Sequence, residues 1–229
     1  STQWEFQSNL FLSLFLPRAP VVMLAKRDQK EANELLNALK AEDVPRVTHL
    51  LANGVIPDAR IDNAHPCSVK GAPDGTSALS LAIFAGNIPI ARLLLEAGAS
   101  TELVGVKGKT TALMYAVVMN KLEGVQLLVG WSAKLNAVNK VGKTALIAAA
   151  VKGHTAIVQF LVDSGADLNV QEGEGMTALH AAAINGHLEP ARILLDAGAE
   201  LELEDKNGMT PANVALLAKH FAILELLLR

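Results

Sequence analysis

Cysteine is almost missing from this chain: Cys67 is the single one in 229 residues. An internal disulfide is therefore excluded, and the usage fits a reducing compartment. Aromatic residues are scarce at 4%, so Leu and Ala must carry the packing, which suits closely stacked helices. No strong charge of either sign is present. The net charge of −3 asks for neither nucleic acid nor an anionic membrane surface. A membrane-length apolar run is also lacking. Leu10 to Leu16 is apolar, but Pro17, Arg18 and Pro20 end it well short of the ~18 residues a span needs. Glu5 is the one charge ahead of that run, so the basic start of a secretory signal is missing. Secretion is not expected; the cytoplasm or nucleus is. What remains is a chain with 51% apolar residues, enough to bury a long core.

Its dominant feature is a unit that recurs. Five segments begin with a small hydroxyl residue, continue with Ala or Pro, and end in Ala: Ser77 to Ala82, Thr111 to Ala116, Thr144 to Ala149, Thr177 to Ala182 and Thr210 to Ala215. The spacing is 34 once and then 33 three times. The leading Ser or Thr reads as a helix N-cap, and Ala or Pro suits the first turn. A second helix follows, marked by paired apolar residues such as Leu94-Leu95, Leu128-Val129, Leu161-Val162 and Leu194-Leu195. Gly54, Gly98, Gly165 and Gly198 stand just beyond these second helices, where a left-handed residue closes the end. Ser132 takes that place in the third unit, so its turn is expected to be strained or differently closed. Polar turns such as Asn139 to Gly142 and Asp205 to Gly208 separate the units. A period of 33 means a solenoid, in which each unit buries its apolar face only against neighbours.

Two segments carry a family resemblance. Gly175 to Ala183, Asn185-Gly186-His187 and Ile193 to Ala199 form one; Gly142 to Leu146, Gly153-His154 and Gly165 to Asn169 form the other. Both closely resemble the ankyrin repeat, and the likeness extends over residues 31–229. Only Thr210-Pro211 keeps the family's Thr-Pro pair; the other copies have Ala. The expected fold is all-α, an ankyrin-repeat solenoid of helix-turn-helix units with hairpin-like fingers. About six repeats are expected, near 31–60, 72–104, 105–138, 139–171, 172–204 and 205–229, the first and last irregular. Residues 61–71 enlarge the first finger, and 1–30 form an apolar N-terminal segment, a possible capping helix.

The resemblance also implies where a partner protein sits: on the finger tips and the exposed side of the inner helices, a concave groove. By position, those residues are Phe84, Val118, Met119, Val151, Ile184, Asn185 and Leu217 on the helices. Lys152 belongs to the helices too, and on the fingers they are Lys107, Lys109, Lys140, Lys143, Glu174, Met176, Lys206 and Met209. The helix set is mostly an apolar stripe and the lysines a basic patch, with acidic Glu200, Glu202, Glu204 and Asp205 further along. The stripe could equally be packed between helices, and the lysines could be a solvated rim.

Several tempting chemistries are set aside. Gly108-Lys109-Thr110 and Gly142-Lys143-Thr144 imitate the end of a phosphate loop, but the required earlier Gly is Leu103 or Ala137. Cys67 beside His65 lacks an orienting third group. No His, Cys and carboxylate cluster has zinc spacing. His154, His180 and His187 sit where the family uses His to hold turns and link units. Asn136 and Asn169 occupy a place where the family is occasionally hydroxylated, or they are plain turn residues. No catalytic, cofactor or metal site is expected. The function implied is a protein-interaction scaffold; the alternative is a regulatory or targeting module of a larger enzyme or membrane protein. Ser1 in place of Met, and a last helix rich in Leu, make a longer chain the expectation.

Overall fold

The structure, a computed structural model, describes residues 26–60, 75–105 and 108–228, with side chains from residue 30 onward. The enlarged finger with His65 and Cys67, and the residues before Lys26, lie outside it. Twelve helices form six antiparallel pairs among the described residues: α1 (Lys26–Lys40) with α2 (Val44–Ala52), α3 (Ala78–Ala85) with α4 (Ile88–Glu96), α5 (Ala112–Val118) with α6 (Leu122–Gly130), α7 (Ala145–Lys152) with α8 (Thr155–Asp163), α9 (Ala178–Ile184) with α10 (Leu188–Asp196), and α11 (Pro211–Leu217) with α12 (Phe221–Leu227).

The recurring hydroxyls start the inner helices as the sequence predicts. Ser77, Thr111, Thr144, Thr177 and Thr210 each accept a hydrogen bond from the backbone N–H three residues on. Each cap residue is extended, so the chain enters the helix at a sharp angle. The Ala-rich words then let inner helix lie on inner helix, while outer helices pack on outer ones. Leu94, Leu128, Leu161 and Leu194 of the outer helices are fully buried, at a fixed place in successive units. The core is therefore one apolar seam along the solenoid, not a central ball.

Outer helices close with left-handed residues. Gly54, Gly98, Gly165 and Gly198 have φ between 84° and 90°. Ser132 has φ 60° and closes its turn with the same backbone bonds: Ser132 N–H donates to Val129 O and Ala133 N–H to Leu128 O. The strain expected there is present; the different closure is not.

Candidate partner-binding face

The fingers are short turns pinned by their own first residue. The Asn139 side-chain oxygen accepts from the N–H groups of Val141 and Lys143, and the Asp205 carboxylate accepts from Asn207 and Met209. The donors, chiefly Met209 N–H, hold the Asp205 carboxyl below its ordinary range. Adjacent tips are then tied by backbone bonds. Lys140 N–H donates to Gly108 O at 2.9 Å, Gly173 to Val141 O at 2.8 Å, and Lys206 to Glu174 O at 3.0 Å. Four fingers thus form one hydrogen-bonded row. Close approach requires Gly142, whose Cβ would lie 2.9 Å from Gly173 N. The third finger closes from Gly105 to Thr110, one residue wider than the fourth, which closes from Asn139 to Lys143. That extra residue accounts for the single spacing of 34.

Along this row, Lys109, Lys140, Lys143 and Lys152 face no carboxylate among the described residues. Lys206 differs, pairing with Glu174 at 3.8 Å in an exposed contact. Lys107 lies outside the described residues. On the inner helices, Val118, Met119 and Ile184 are exposed, while Phe84 and Val151 are partly buried against the core. Leu217, at the matching place of the last unit, is 75% exposed, and Leu216 and Phe221 of that unit are exposed as well. Met176 and Met209 are half-buried. The Met209 carbonyl is occupied by His180, and the Asn185 side chain donates to Ala181 O, closing α9.

The histidines divide. His180 is completely buried; its Nδ1 meets the N–H and hydroxyl of Thr177, and its Nε2 lies 2.9 Å from Met209 O of the next unit. Burial pushes its imidazole below the ordinary value, opposed by the Met209 carbonyl. His187 reaches back to Val151 O at 3.2 Å over Gly153, where a Cβ would lie 2.6 Å from the ring. His154 departs from its expected linking role. Its Nε2 is buried without a hydrogen-bond partner, although the Val118 carbonyl acts on the ring from beyond bonding geometry. The position that Gly153 holds for His187 is Asn120 for His154. Burial lowers the His154 imidazole too.

Asn136 and Asn169 join units: their side-chain oxygens accept from the N–H groups of Asp167 and Glu200 at 3.0 Å each. Asp58 and Glu102 do the same for Ser100 and Lys134. This ladder has no motif of its own; its sequence trace is only an acceptor side chain at a recurring place. Thr144 of the phosphate-loop imitation is the α7 cap, and Gly142 belongs to the finger turn. Among the described residues, no group of His, Cys, Asp and Glu could hold a metal ion.

One surface feature escaped the sequence reading. Trp131, 43% exposed, borders an open depression of about 350 Å³ with Arg92, Glu123 and Gly130 on the outer helices. The signal was a break in phase, since corresponding places in the next two units hold Asp163-Ser164 and Asp196-Ala197.

A family model described as ankyrin repeats (3 copies) matches residues 35–139, 109–172, 131–205 and 164–229. No curated protein matches the chain. Ankyrin repeats are generally protein-interaction modules and typically non-catalytic. No helix among the described residues is long and apolar enough to cross a membrane. The capped helix pairs, the left-handed closures and the row of fingers are those of a helical repeat solenoid, and the chain belongs to the ankyrin repeat family.

Proposed function

We propose that the finger tips and inner helices form a groove that holds an extended or helical segment of a partner protein. One observation carries this reading: Val118, Met119 and Ile184 stay exposed on helices whose other apolar residues are buried. Apolar side chains left open beside polar finger tips suit an interface whose centre is apolar and whose rim is charged. The backbone row through the fingers pre-organises the surface, so little loop ordering opposes binding. Lys109, Lys140, Lys143 and Lys152, which pair with no carboxylate among the described residues, favour encounter with an acidic partner.

The test is affinity capture from native extract, with the chain and its Met119→Glu, Val151→Glu, Ile184→Glu variant as parallel baits. Circular dichroism first checks that both are helical and melt cooperatively. A protein retained by the first and lost by the second supports the groove. An identical set on both baits removes this face from the account.

A further inference from the structure

The apolar run along the inner helices is uneven. Between the second and third units, Phe84 and Tyr115 meet edge to face, with ring centroids 6.3 Å apart and planes at 82°. Tyr115 is buried and Phe84 is partly buried against the core. One unit further, the same two positions hold Val118 and Ala148, both much smaller. A hollow of about 230 Å³ opens there. Its lining includes apolar Met114, Val118, Ala148 and Val151 together with Lys143 and Lys152.

Size and charge restrict what enters. The volume lies below the roughly 300–1,000 Å³ of a small-molecule site, so one side chain suits it better than a whole ligand. Met114 is unbranched and can adjust to the occupant. Lys143 and Lys152 have no carboxylate partner among the described residues, and Lys109 and Lys140 add like charge from neighbouring tips. Two ammonium groups lining an apolar hollow, with two more on neighbouring finger tips and no carboxylate paired with any of them among the described residues, select a ligand that is apolar at its centre and anionic on its flanks.

We propose that this hollow seats one bulky apolar side chain (Leu, Met or Phe) of an acidic partner segment, whose flanking carboxylates pair with Lys143 and Lys152. The assignment rests on the groove reading above and names the chemistry that the groove selects. The second and third units cannot offer the same seat, because Phe84 and Tyr115 already occupy it.

The probe is a library of random twelve-residue peptides displayed on phage and selected on the full folded chain. Selected peptides are then synthesised and titrated by fluorescence anisotropy against four variants. Ala148→Tyr and Val118→Phe each restore the bulk found one unit earlier. Val118 is an exposed position, so its variant keeps the test alive if Ala148→Tyr fails to fold. Lys143→Glu with Lys152→Glu removes the charge, and Met119→Glu with Ile184→Glu alters the groove outside the hollow.

The expected peptides carry one Leu, Met or Phe between acidic residues. Their binding should weaken about tenfold or more with either filling variant. It should weaken and lose its salt dependence with the lysine reversal. Peptides without acidic flanks, or full binding to both filling variants, would overturn the proposal. If those peptides still depend on Met119 and Ile184, the groove reading survives alone. Equal binding to all four variants, or no selected peptide, rejects both.

Discussion

The third and fifth units share one backbone plan but build it from different residues. The fifth closes its finger, inner helix and outer helix with Gly175, Gly186 and Gly198, all at positive φ. The third places Lys109, Asn120 and Ser132 in the same left-handed region. An L side chain there costs roughly 1–2 kcal/mol, less for Asn, which tolerates it. The fifth unit also has His180 joining its cap to the sixth unit, where the third has Met114 at the corresponding place. The third unit, which borders the basic hollow and carries Trp131, thus holds backbone strain that the fifth avoids.

The largest test of the contrast exchanges the finger residue. A Cβ on Gly175 would sit 3.0 Å from Lys206 N and 3.1 Å from Asp205 Cα, both backbone atoms of the neighbouring finger. The φ of 80° adds strain. Gly175→Ala should therefore cost about 2–4 kcal/mol in urea unfolding. Lys109→Ala alters a residue that already carries a Cβ at φ 50°, and should change stability by less than about 0.5 kcal/mol. Equal losses in the two variants would erase the distinction between the units.

A smaller effect comes from His180→Met, which gives the fifth unit the third unit's side chain. The Met209 carbonyl loses its donor beside a buried cap, at a cost of about 1–3 kcal/mol. The change should also alter the pH response. The folded-state pKa of His180 is lowered by burial, so the unfolded chain binds the proton more readily. The stability from the neutral ring is complete above about pH 6.5 and is lost as pH falls through the lower folded value. His154 contributes in the same direction. Urea melts at pH 7.5 and 5.5 should show a smaller pH difference in His180→Met than in the parent chain. An unchanged difference would assign the slope to other groups.

Much of this was legible because each turn signal recurs in phase. Thr144 and Thr177 announced helix starts, and Gly165 and Gly198 announced ends, each through local chemistry confined to a few residues. Ser132 was legible as strain because its neighbours in the repeat are glycines. The finger row was not, since Lys140 N and Gly108 O are backbone groups that every sequence possesses. The hollow was hidden for another reason. The stripe through Phe84, Val118 and Val151 follows one position per unit and looks continuous. Its depth depends on a different position, Tyr115 against Ala148, inside the word that also writes the helix. His154 misled because its own place in the repeat is ordinary; the difference lies one unit back, at Asn120.

The finest test converts the third unit toward the fifth at its outer turn. Ser132 already makes the closing bonds that Gly98 and Gly198 make, so Ser132→Gly loses no backbone contact. It removes roughly 1–2 kcal/mol of left-handed strain. Against this stands the greater freedom of glycine in the unfolded chain, about 0.5–1 kcal/mol. The net expectation is a gain of up to about 1.5 kcal/mol in chemical denaturation, with an unchanged slope. The side chain is exposed and neighbours Trp131 rather than the lysines, so affinity for the acidic peptides should not move. A loss of stability would mean that the serine hydroxyl holds this turn in a way the glycines of the other units do not need. The third unit would then be a different solution to the same closure rather than a strained copy of it.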